Sequence, residues 1–441
     1  MPDMLPPPGY GAALMDARPL SLLTRAASPE AAALVAELVA RVEEWEREAS
    51  NAKRRGDALR AGLTRAVEAL AGGLLLTAAR HGEDGWCRQA VRPAAFTGRP
   101  VSFRHFTAAL DAFLGLSLAE QHAHLTRFHN FDDVTAVQRF SMRLRATPAL
   151  VRMAEAHGLA LPDMERHWRR EARAKPPRPL VLREAGTRAG GFRVRGAELP
   201  APKGPEADAI RANVAATNRF LARFAYEGCD APALYRVFTR DLRHHGRWYG
   251  GVEDMPAAER RRIRIGGEPV REVDVRASHL AILHGLQGLP LPEGDPYDGL
   301  GFPRGVAKAW ITATIGNGGP VSRWSREAKE RAAKERDGRP GVDLSRYRVR
   351  EVGAAVLARY PFLSRVAEVA GCAAEPRLTP HRIMAIEAAA LTRAMDALRG
   401  RGVPALPVHD ALIVRERDAE AARAALAEAF EAVAGVRPVV R

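Results

Sequence analysis

Two aspartates in the C-terminal half of the chain, Asp274 and Asp410, are placed where carboxylates can do chemistry. Asp274 ends a segment whose alternating pattern predicts a β-strand, and a helix is predicted to begin near Ser278. Asp410 follows His409 between two apolar segments, which predicts a two-residue hairpin turn, although His-Asp is a poor choice for a plain turn. Two carboxylates held close together repel each other unless divalent cations bridge them, so we expect two Mg²⁺ ions, replaceable by Mn²⁺.

Two cations, Arg304 and Lys308, supply a second element of this chemistry. They are four residues apart on a predicted helix over 304–316, so they share one helix face. On a bare surface they would repel each other mildly, but they suit a triphosphate. Two metal ions about 3.5–4 Å apart would clamp the attacking and leaving oxygens of an in-line displacement at phosphorus. An ordinary basic helix accounts for the same spacing when it is considered alone, as a capping role does for Asp274.

Taken in order, the segments around Asp274, Arg304 and Asp410 resemble motifs A, B and C of the family A DNA polymerases and the related single-subunit RNA polymerases. In that family motif A is a strand ending in Asp, motif B is Arg-x-x-x-Lys on a helix of the fingers, and motif C is a Val-His-Asp hairpin. The segments Asp241–Tyr249 and Arg382–Met395 resemble the Gly-Arg element before motif A and the helix that leads into motif C. The resemblance covers about residues 210–441.

The resemblance implies a palm made of an antiparallel sheet with helices, with reduced helical fingers inserted at about residues 295–380. It also implies roles for individual residues in binding metal ions, nucleoside triphosphate and a primer–template. The implied site consists of the metal ligands Asp274, Asp410 and the backbone of Val275, the catalytic residues Asp274, Asp410 and Lys308, the nucleotide-binding residues Arg304, Lys308, His279 and Gly316, and the primer–template residues Arg247 and His409.

The sequence departs from the family at two of these positions. His279 stands where the DNA-synthesising relatives have a Glu that senses the sugar 2′ position, so the choice between dNTP and rNTP stays open. Gly316 stands where the family usually has a Tyr or Phe that packs by the nascent base pair, and Tyr297 is a candidate substitute. The first 200 residues contain no acidic run typical of a proofreading exonuclease, and the segment between motifs A and C is short.

The composition of the 441-residue chain allows two or three domains, and its 46% hydrophobic content is enough for a folded core. The formal charge of +15 favours a nucleic-acid partner, although a general enrichment in Arg and Ala would also raise it. Only three cysteines occur, far apart, which argues against a disulfide framework. No apolar run approaches the ~18–20 residues of a membrane span, and no signal pattern begins the chain, so we expect a cytoplasmic protein without a membrane partner.

We expect an α+β protein in three parts. Residues 1–165 are predicted to be a helical N-terminal domain, in which the basic run Arg139–Arg145 before a helix starting at Thr147-Pro148 resembles a helix-turn-helix or winged-helix unit. A solvated helical bundle accounts for the same pattern. Residues 166–206, rich in Arg, Lys, Pro and Gly, are predicted to be a linker. Residues 207–441 would then form the palm with its fingers.

These observations favour a template-directed nucleotidyltransferase, either a DNA polymerase or a primer-synthesising polymerase, of a phage, plasmid or other mobile element. The alternative is a catalytically inactive palm-like protein that binds DNA in replication or regulation. Gly316 favours this alternative slightly, whereas the retention of both aspartates and Lys308 argues against it. A metal-dependent nuclease would use the same carboxylates, but the Arg304/Lys308 pair and the order of the motifs speak against it.

Overall fold

The computed structural model of the protein describes residues 12–15, 17–50, 55–82, 85–122, 125–131, 134–171, 178–189, 192–194, 196–333, 340–373 and 379–441. The fold is α+β, as predicted. The chain forms two compact units. Unit 1 comprises Met1–Pro176, Arg188–Val194 and Ala225–Ala233, and unit 2 comprises Pro177–Thr187, Arg195–Phe224 and Leu234–Arg441.

The helices and strands are numbered here in chain order. The helices are α1 (Ala12–Met15), α2 (Pro29–Ser50), α3 (Asp57–His81), α4 (Phe103–Gly115), α5 (Pro148–Ala156), α6 (Met164–His167), α7 (Pro205–Leu221), α8 (Ala257–Arg260), α9 (Ser278–Leu286), α10 (Arg304–Asn317), α11 (Arg326–Ala332), α12 (Val349–Arg359), α13 (Thr379–Gly400) and α14 (Ala419–Ala434). The strands are β1 (Arg18–Pro19), β2 (Thr24–Ala26), β3 (Cys87–Gln89), β4 (Ala119–His122), β5 (Leu125–Phe131), β6 (Val134–Phe140), β7 (Met142–Ala146), β8 (Trp168–Arg170), β9 (Leu180–Arg183), β10 (Thr187–Ala189), β11 (Phe192–Val194), β12 (Glu198–Leu199), β13 (Tyr226–Glu227), β14 (Tyr235–Thr239), β15 (Asp241–Tyr249), β16 (Arg264–Ile265), β17 (Glu268–Asp274), β18 (Ala405–Val408) and β19 (Ala411–Arg415).

Unit 1 has a core of helices α2, α3 and α4. Helix α2 begins with a Pro at its first position, Pro29, and the Ser28 hydroxyl accepts a hydrogen bond from the Ala31 N–H at 3.2 Å. Helix α3 is long and apolar enough to cross a membrane by length and composition alone, and 78% of that stretch is buried inside the structure. Packing against α2 and α4 therefore accounts for its apolar character.

Strands interrupt the helical N-terminal domain predicted for residues 1–165. Helix α4 is present, and the Ser102 side chain caps it by accepting from the His105 N–H. Between Ala119 and Ala146, however, the chain forms β4 to β7, so the prediction of a helical domain is wrong there. The reason is the period of the sequence: Met142, Leu144 and Ala146 alternate with Arg143 and Arg145, and β7 pairs with both β3 and β4. The basic run Arg139–Arg145 thus lies mainly on strands, whereas the helix predicted to start at Thr147-Pro148 is present as α5.

Parts of the predicted linker over 166–206 are paired strands. Strand β8 pairs with β2 in unit 1. Strand β9 lies parallel to β14 in unit 2, and its residues Leu180 and Leu182 are buried. Of the Lys175–Arg178 run that suggested a linker, residues 175–177 lie outside the described residues.

The sheet that carries both aspartates lies in unit 2. Strands β16, β17, β19 and β18 are adjacent in that order and antiparallel. The strand ending at Asp274 and the hairpin around His409-Asp410 are confirmed, as is the helix that begins at Ser278. Helix α14 packs on β17 and β19, and α13 packs against α14, α9 and β15.

The segment between the aspartates is helical, as the predicted fingers require. Helix α10 carries Arg304 and Lys308 and packs against α11, α12 and α13. Its buried face includes Trp310 and Ile311. Helix α11 ends at Ala332, and residues 334–339 lie outside the described residues.

Candidate active site

Asp274 and Asp410 lie side by side in the sheet of unit 2. The antiparallel register of β17 and β19 places Asp274 opposite Ala411, the residue after Asp410. The Val275 N–H lies 3.4 Å from the carbonyl oxygen of Asp410, to which it donates. Both aspartates and Val275 line a cleft of about 860 Å³. Residues separated by most of unit 2 in sequence are therefore neighbours across one strand pair.

The turns that present these two carboxylates have unusual backbone conformations. His409, at the hairpin tip, has a φ of 56°, and Ala277, between Asp274 and α9, has a φ of 51°. Positive φ is disfavoured for residues with a Cβ, and such residues concentrate at functional sites. The residue before Asp410 in the predicted hairpin, His409, thus adopts a backbone conformation that most residues with a Cβ avoid.

Burial raises the pKa of both aspartates. Burial, together with the negative charges of Glu387 and Asp274, raises the pKa of Asp410 to about 7. Burial also raises the pKa of Asp274, while the guanidinium of Arg441 lowers it. Carboxylates crowded in this way are stabilised in their charged form by a bound divalent cation.

A third acid, Glu387 on α13, completes the buried part of the cleft. Its side chain is only 1% exposed and forms an ion pair with Arg247, and its Oε1 lies 3.2 Å from the Nε2 of His279. The Ser278 hydroxyl lies 2.7 Å from Glu387 Oε1 and 3.0 Å from Asp410 Oδ2. Because a hydroxyl has one proton, Ser278 donates to only one of these two carboxylates at a time.

Sequence reasoning missed Glu387, although a signal for it exists. The buried face of α13 carries Ile383, Glu387 and Leu391, spaced by four residues. An acid within an apolar helical stripe must be paired when it is buried. The identity of its partners, Arg247 and Ser278, depends on the tertiary structure.

Arg304 and Lys308 face the same cleft from α10. Arg304 donates to Asp295 at 2.8 Å, and the charge of Arg304 helps to lower the pKa of Asp295 against the effect of burial. Tyr297 is buried beneath both cations, at 5.1 Å from Arg304 Cζ and 5.9 Å from Lys308 Nζ. The ring proposed as a substitute for the family's aromatic residue thus lies against the two cations.

Two predicted residues are not among those that line the cleft. Gly316 is exposed on α10, with open space where a Cβ would be. On a helix of 3.6 residues per turn it is rotated by about 80° from Lys308, whereas Ile315, which lines the cleft, is rotated by only about 20°. The structure therefore does not place Gly316 with the predicted nucleotide-binding residues.

His409 is exposed at the hairpin tip beside the cleft. Arg247 and His279 do line it.

A further residue that the sequence did not indicate, Arg441, occupies one side of Asp274. The segment Val439–Arg441 lies along Asp274–Arg276, with backbone hydrogen bonds of 2.9–3.0 Å. The Arg441 guanidinium donates to Asp274 Oδ2 at 3.0 and 3.1 Å. In this structure, Asp274 therefore satisfies its charge with a guanidinium.

The oxygen ligands of the cleft fit a magnesium ion that also binds substrate. Within the described ranges, no group of three or more His, Cys, Asp or Glu side chains is arranged to hold a metal. Glu272 is held by Arg260 at 2.7 and 3.0 Å, and Glu387 by Arg247. Mg²⁺ is commonly bound by one or two carboxylates together with substrate phosphates and water, which matches a pair made of Asp274 and Asp410.

The charge of the cleft favours an anionic ligand. Eight Lys or Arg side chains and four Asp or Glu side chains are among the residues that line it. Several of these cations are already paired with an acid, as Arg260 is with Glu272, but the excess remains positive. A polyanion together with divalent cations would balance this distribution.

Comparisons of the chain with protein-family models, with curated proteins and with solved structures find no match. The function is therefore inferred from the residues of the cleft. Its residues come from β15, β17, α9, α10, α13 and the β18–β19 hairpin, all in unit 2.

Proposed function

We propose that the protein is a template-directed nucleotidyltransferase that uses Mg²⁺ to extend a 3′-hydroxyl with nucleoside triphosphates. The observation that carries this proposal is the convergence of two acids and two cations from separate elements on one cleft. Asp274 ends β17, Asp410 lies on the adjacent β18–β19 hairpin turn, and Arg304 and Lys308 come from α10. Phosphoryl transfer needs these groups together, because its catalysis is mainly positioning and charge stabilisation.

Each of these side chains would have a defined task. Asp274 and Asp410 would hold the metal ions, which neutralise phosphate charge and favour the nucleophilic form of the 3′-hydroxyl when bound. Lys308 and Arg304 would bind the triphosphate and stabilise the charge that develops on the leaving group. Asp295 orients the guanidinium of Arg304 by accepting from its Nε.

The remaining polar residues of the cleft suit the nucleic acid and the sugar. Arg247 lies on β15 with its guanidinium held by Glu387, and it would contact the primer–template duplex. His279 lies on the first turn of α9 and would lie near the sugar of the incoming nucleotide. His409, exposed at the hairpin tip, would approach the primer end.

The experiment supplies the full chain with a primed template, Mg²⁺ and either dNTPs or rNTPs. We expect primer extension by the parent protein and a loss on the order of 10³-fold in Asp274→Asn and Asp410→Asn, since each removes several kcal/mol of transition-state stabilisation. The matched control is Asp396→Asn, because Asp396 is a partly exposed acid on α13 that accepts hydrogen bonds from Asn213, and it is not among the residues lining the cleft.

Other outcomes assign other functions. Binding of the primed template without extension would replace the proposal with a catalytically inactive palm-like DNA-binding protein. Shortening of the template would replace it with a nuclease. Repeating the reaction without a primer, and with DNA or RNA templates, then defines whether the enzyme starts chains and which template it copies.

A further inference from the structure

Glu387 is a buried acid that the reaction described above does not use. It lies on α13 between the buried residues Ile383 and Leu391, and its side chain is 1% exposed. Burying a carboxylate among apolar residues is costly unless it is paired and hydrogen-bonded. The groups that surround Glu387 therefore explain why an acid occupies this position.

Both carboxylate oxygens of Glu387 are engaged by side chains of the cleft. Oε2 accepts from the guanidinium of Arg247, at 3.0 Å from Nε, with a second, shorter contact from Nη2. Oε1 accepts from the Ser278 hydroxyl at 2.7 Å and lies 3.2 Å from the His279 imidazole. With both oxygens used in this way, Glu387 is unsuited to ligate a metal ion and instead links β15 to α9.

Ser278 extends this network to the catalytic pair. Its hydroxyl lies within hydrogen-bond distance of Glu387 and, at 3.0 Å, of Asp410 Oδ2. Ser278 is itself buried, at 5% exposure, so its hydroxyl has few other partners available. Moving the Asp410 carboxylate away would therefore break a contact that Glu387 anchors.

We propose that Glu387 is a positioning residue of this site, which holds Arg247 and His279 in the cleft and orients the Asp410 carboxylate through the Ser278 hydroxyl. This inference rests on the proposed function for the roles of Arg247, His279 and Asp410. Glu387 touches neither the metal ions nor the substrates in this arrangement. Residues that orient metal ligands from behind in this way commonly change metal affinity or activity by about 10–100-fold when they are replaced.

The test compares Glu387→Gln, Ser278→Ala and the control Asp396→Asn in the full chain. Three properties are measured: Mn²⁺ affinity by electron paramagnetic resonance, affinity for a fluorescent primer–template duplex by anisotropy, and kcat and KM of extension. Ser278→Ala removes the hydroxyl that contacts Asp410 and Glu387, but it leaves the Arg247–Glu387 ion pair in place. Glu387→Gln keeps the size of the side chain but also releases Arg247 and His279.

For Ser278→Ala we expect about a tenfold loss in both Mn²⁺ affinity and kcat, with duplex affinity and the KM for nucleotide unchanged. For Glu387→Gln we expect the same losses and, in addition, about a tenfold weaker affinity for the duplex, because Arg247 is no longer held. Asp396→Asn should match the parent in all three. Because Ser278→Ala leaves the Arg247 pair intact, it provides a test even if Glu387→Gln does not fold.

A purely structural role would lower the melting temperature and leave Mn²⁺ affinity and kcat of the folded variants at the values of Asp396→Asn. That result would overturn the inference. If the parent protein does not extend primers, the proposed function fails. The Mn²⁺ and duplex measurements then still decide whether Glu387 positions the groups of this cleft.

Discussion

The hairpin tip of β18–β19 and the middle of α13 each bury a carboxyl group, and the Ser278 hydroxyl lies between the two groups. Their protonation nevertheless differs in direction. Burial and the neighbouring charges of Glu387 and Asp274 together raise the pKa of Asp410 to about 7. Burial would raise the pKa of Glu387 too, but the charges of His279 and Arg247 lower it well below its usual value.

This difference teaches that the partners of a buried acid, rather than burial itself, decide whether it is charged. Glu387 has its counter-ions within the protein, so it acts as a permanent negative charge. Asp410 has two other acids nearby, Asp274 and Glu387, so its carboxylate charge is not neutralised unless a cation binds from solution. Helix α13 therefore carries an acid whose charge is already paired within the protein. The hairpin tip carries an acid that can bind a cation.

The largest expected effect on stability comes from breaking the ion pair between Arg247 and Glu387. Glu387→Gln leaves the guanidinium of Arg247, 17% exposed, without its partner, and we expect the free energy of unfolding to fall by about 3 kcal/mol. Urea denaturation at pH 7 measures this. The double variant Arg247→Met/Glu387→Gln should recover much of the loss. A loss of unfolding free energy no larger than that of Asp396→Asn would show that the Arg247–Glu387 pair does not stabilise the fold.

Replacing Asp410 should stabilise the protein at high pH, whereas replacing Glu387 should destabilise it. The pKa of Asp410 is raised on folding, so its contribution to stability is fully present below about pH 4 and is lost as the pH rises through about 7. In EDTA, we therefore expect Asp410→Asn to be more stable than the parent at pH 8, by about 2 kcal/mol, and to lose that advantage towards pH 4. Urea denaturation at several pH values gives the difference.

Titratable groups remote from Asp410 are common to the parent and to Asp410→Asn, so their contributions cancel in this difference. Parallel stability curves for the two proteins would contradict the prediction. Glu387 has the reverse dependence, since its pKa is lowered on folding: its contribution is present above about pH 4.5 and is lost in acid. The two acids should thus destabilise the protein at opposite ends of the pH range.

The smallest effect is expected at Arg441, which supplies an internal counter-ion to Asp274 from a side chain that is 48% exposed. Arg441→Ala should change the free energy of unfolding by less than about 1 kcal/mol, because the pair is partly solvated. It should raise Mn²⁺ affinity several-fold, since the guanidinium no longer competes for Asp274. Arg437→Ala, which breaks a pair with Glu431 of similar exposure, is the control. Equal Mn²⁺ affinity in both variants would exclude competition at Asp274.

Much of the candidate site could be predicted because its parts are locally encoded. The strand before Asp274, the helix after Ser278 and the hairpin around Asp410 follow from alternation, helix spacing and a two-residue gap. The helix with Arg304 and Lys308 follows from the same kind of pattern. Such patterns depend on residues a few positions apart, so a single sequence is enough to read them.

Other parts of the structure are not encoded in local spacing. The strands over Ala119–Ala146 were missed because a short run of alternating residues is easily taken for one face of a helix. Gly316 matched a family position by its place in the motif, yet the rotation of α10 turns it away from the cleft. A match along the chain does not specify which face of an element meets its neighbour.

The sequence by itself determined the chemical groups and the local elements that present them: two acids at strand ends and two cations on one helix face. Only the tertiary structure decided that these elements share a cleft, that Glu387 and Ser278 support it, and that Arg441 lies against Asp274. The physical reason is that these contacts join residues as many as 167 positions apart, and their geometry depends on how helices and strands pack rather than on any neighbouring residues in the chain.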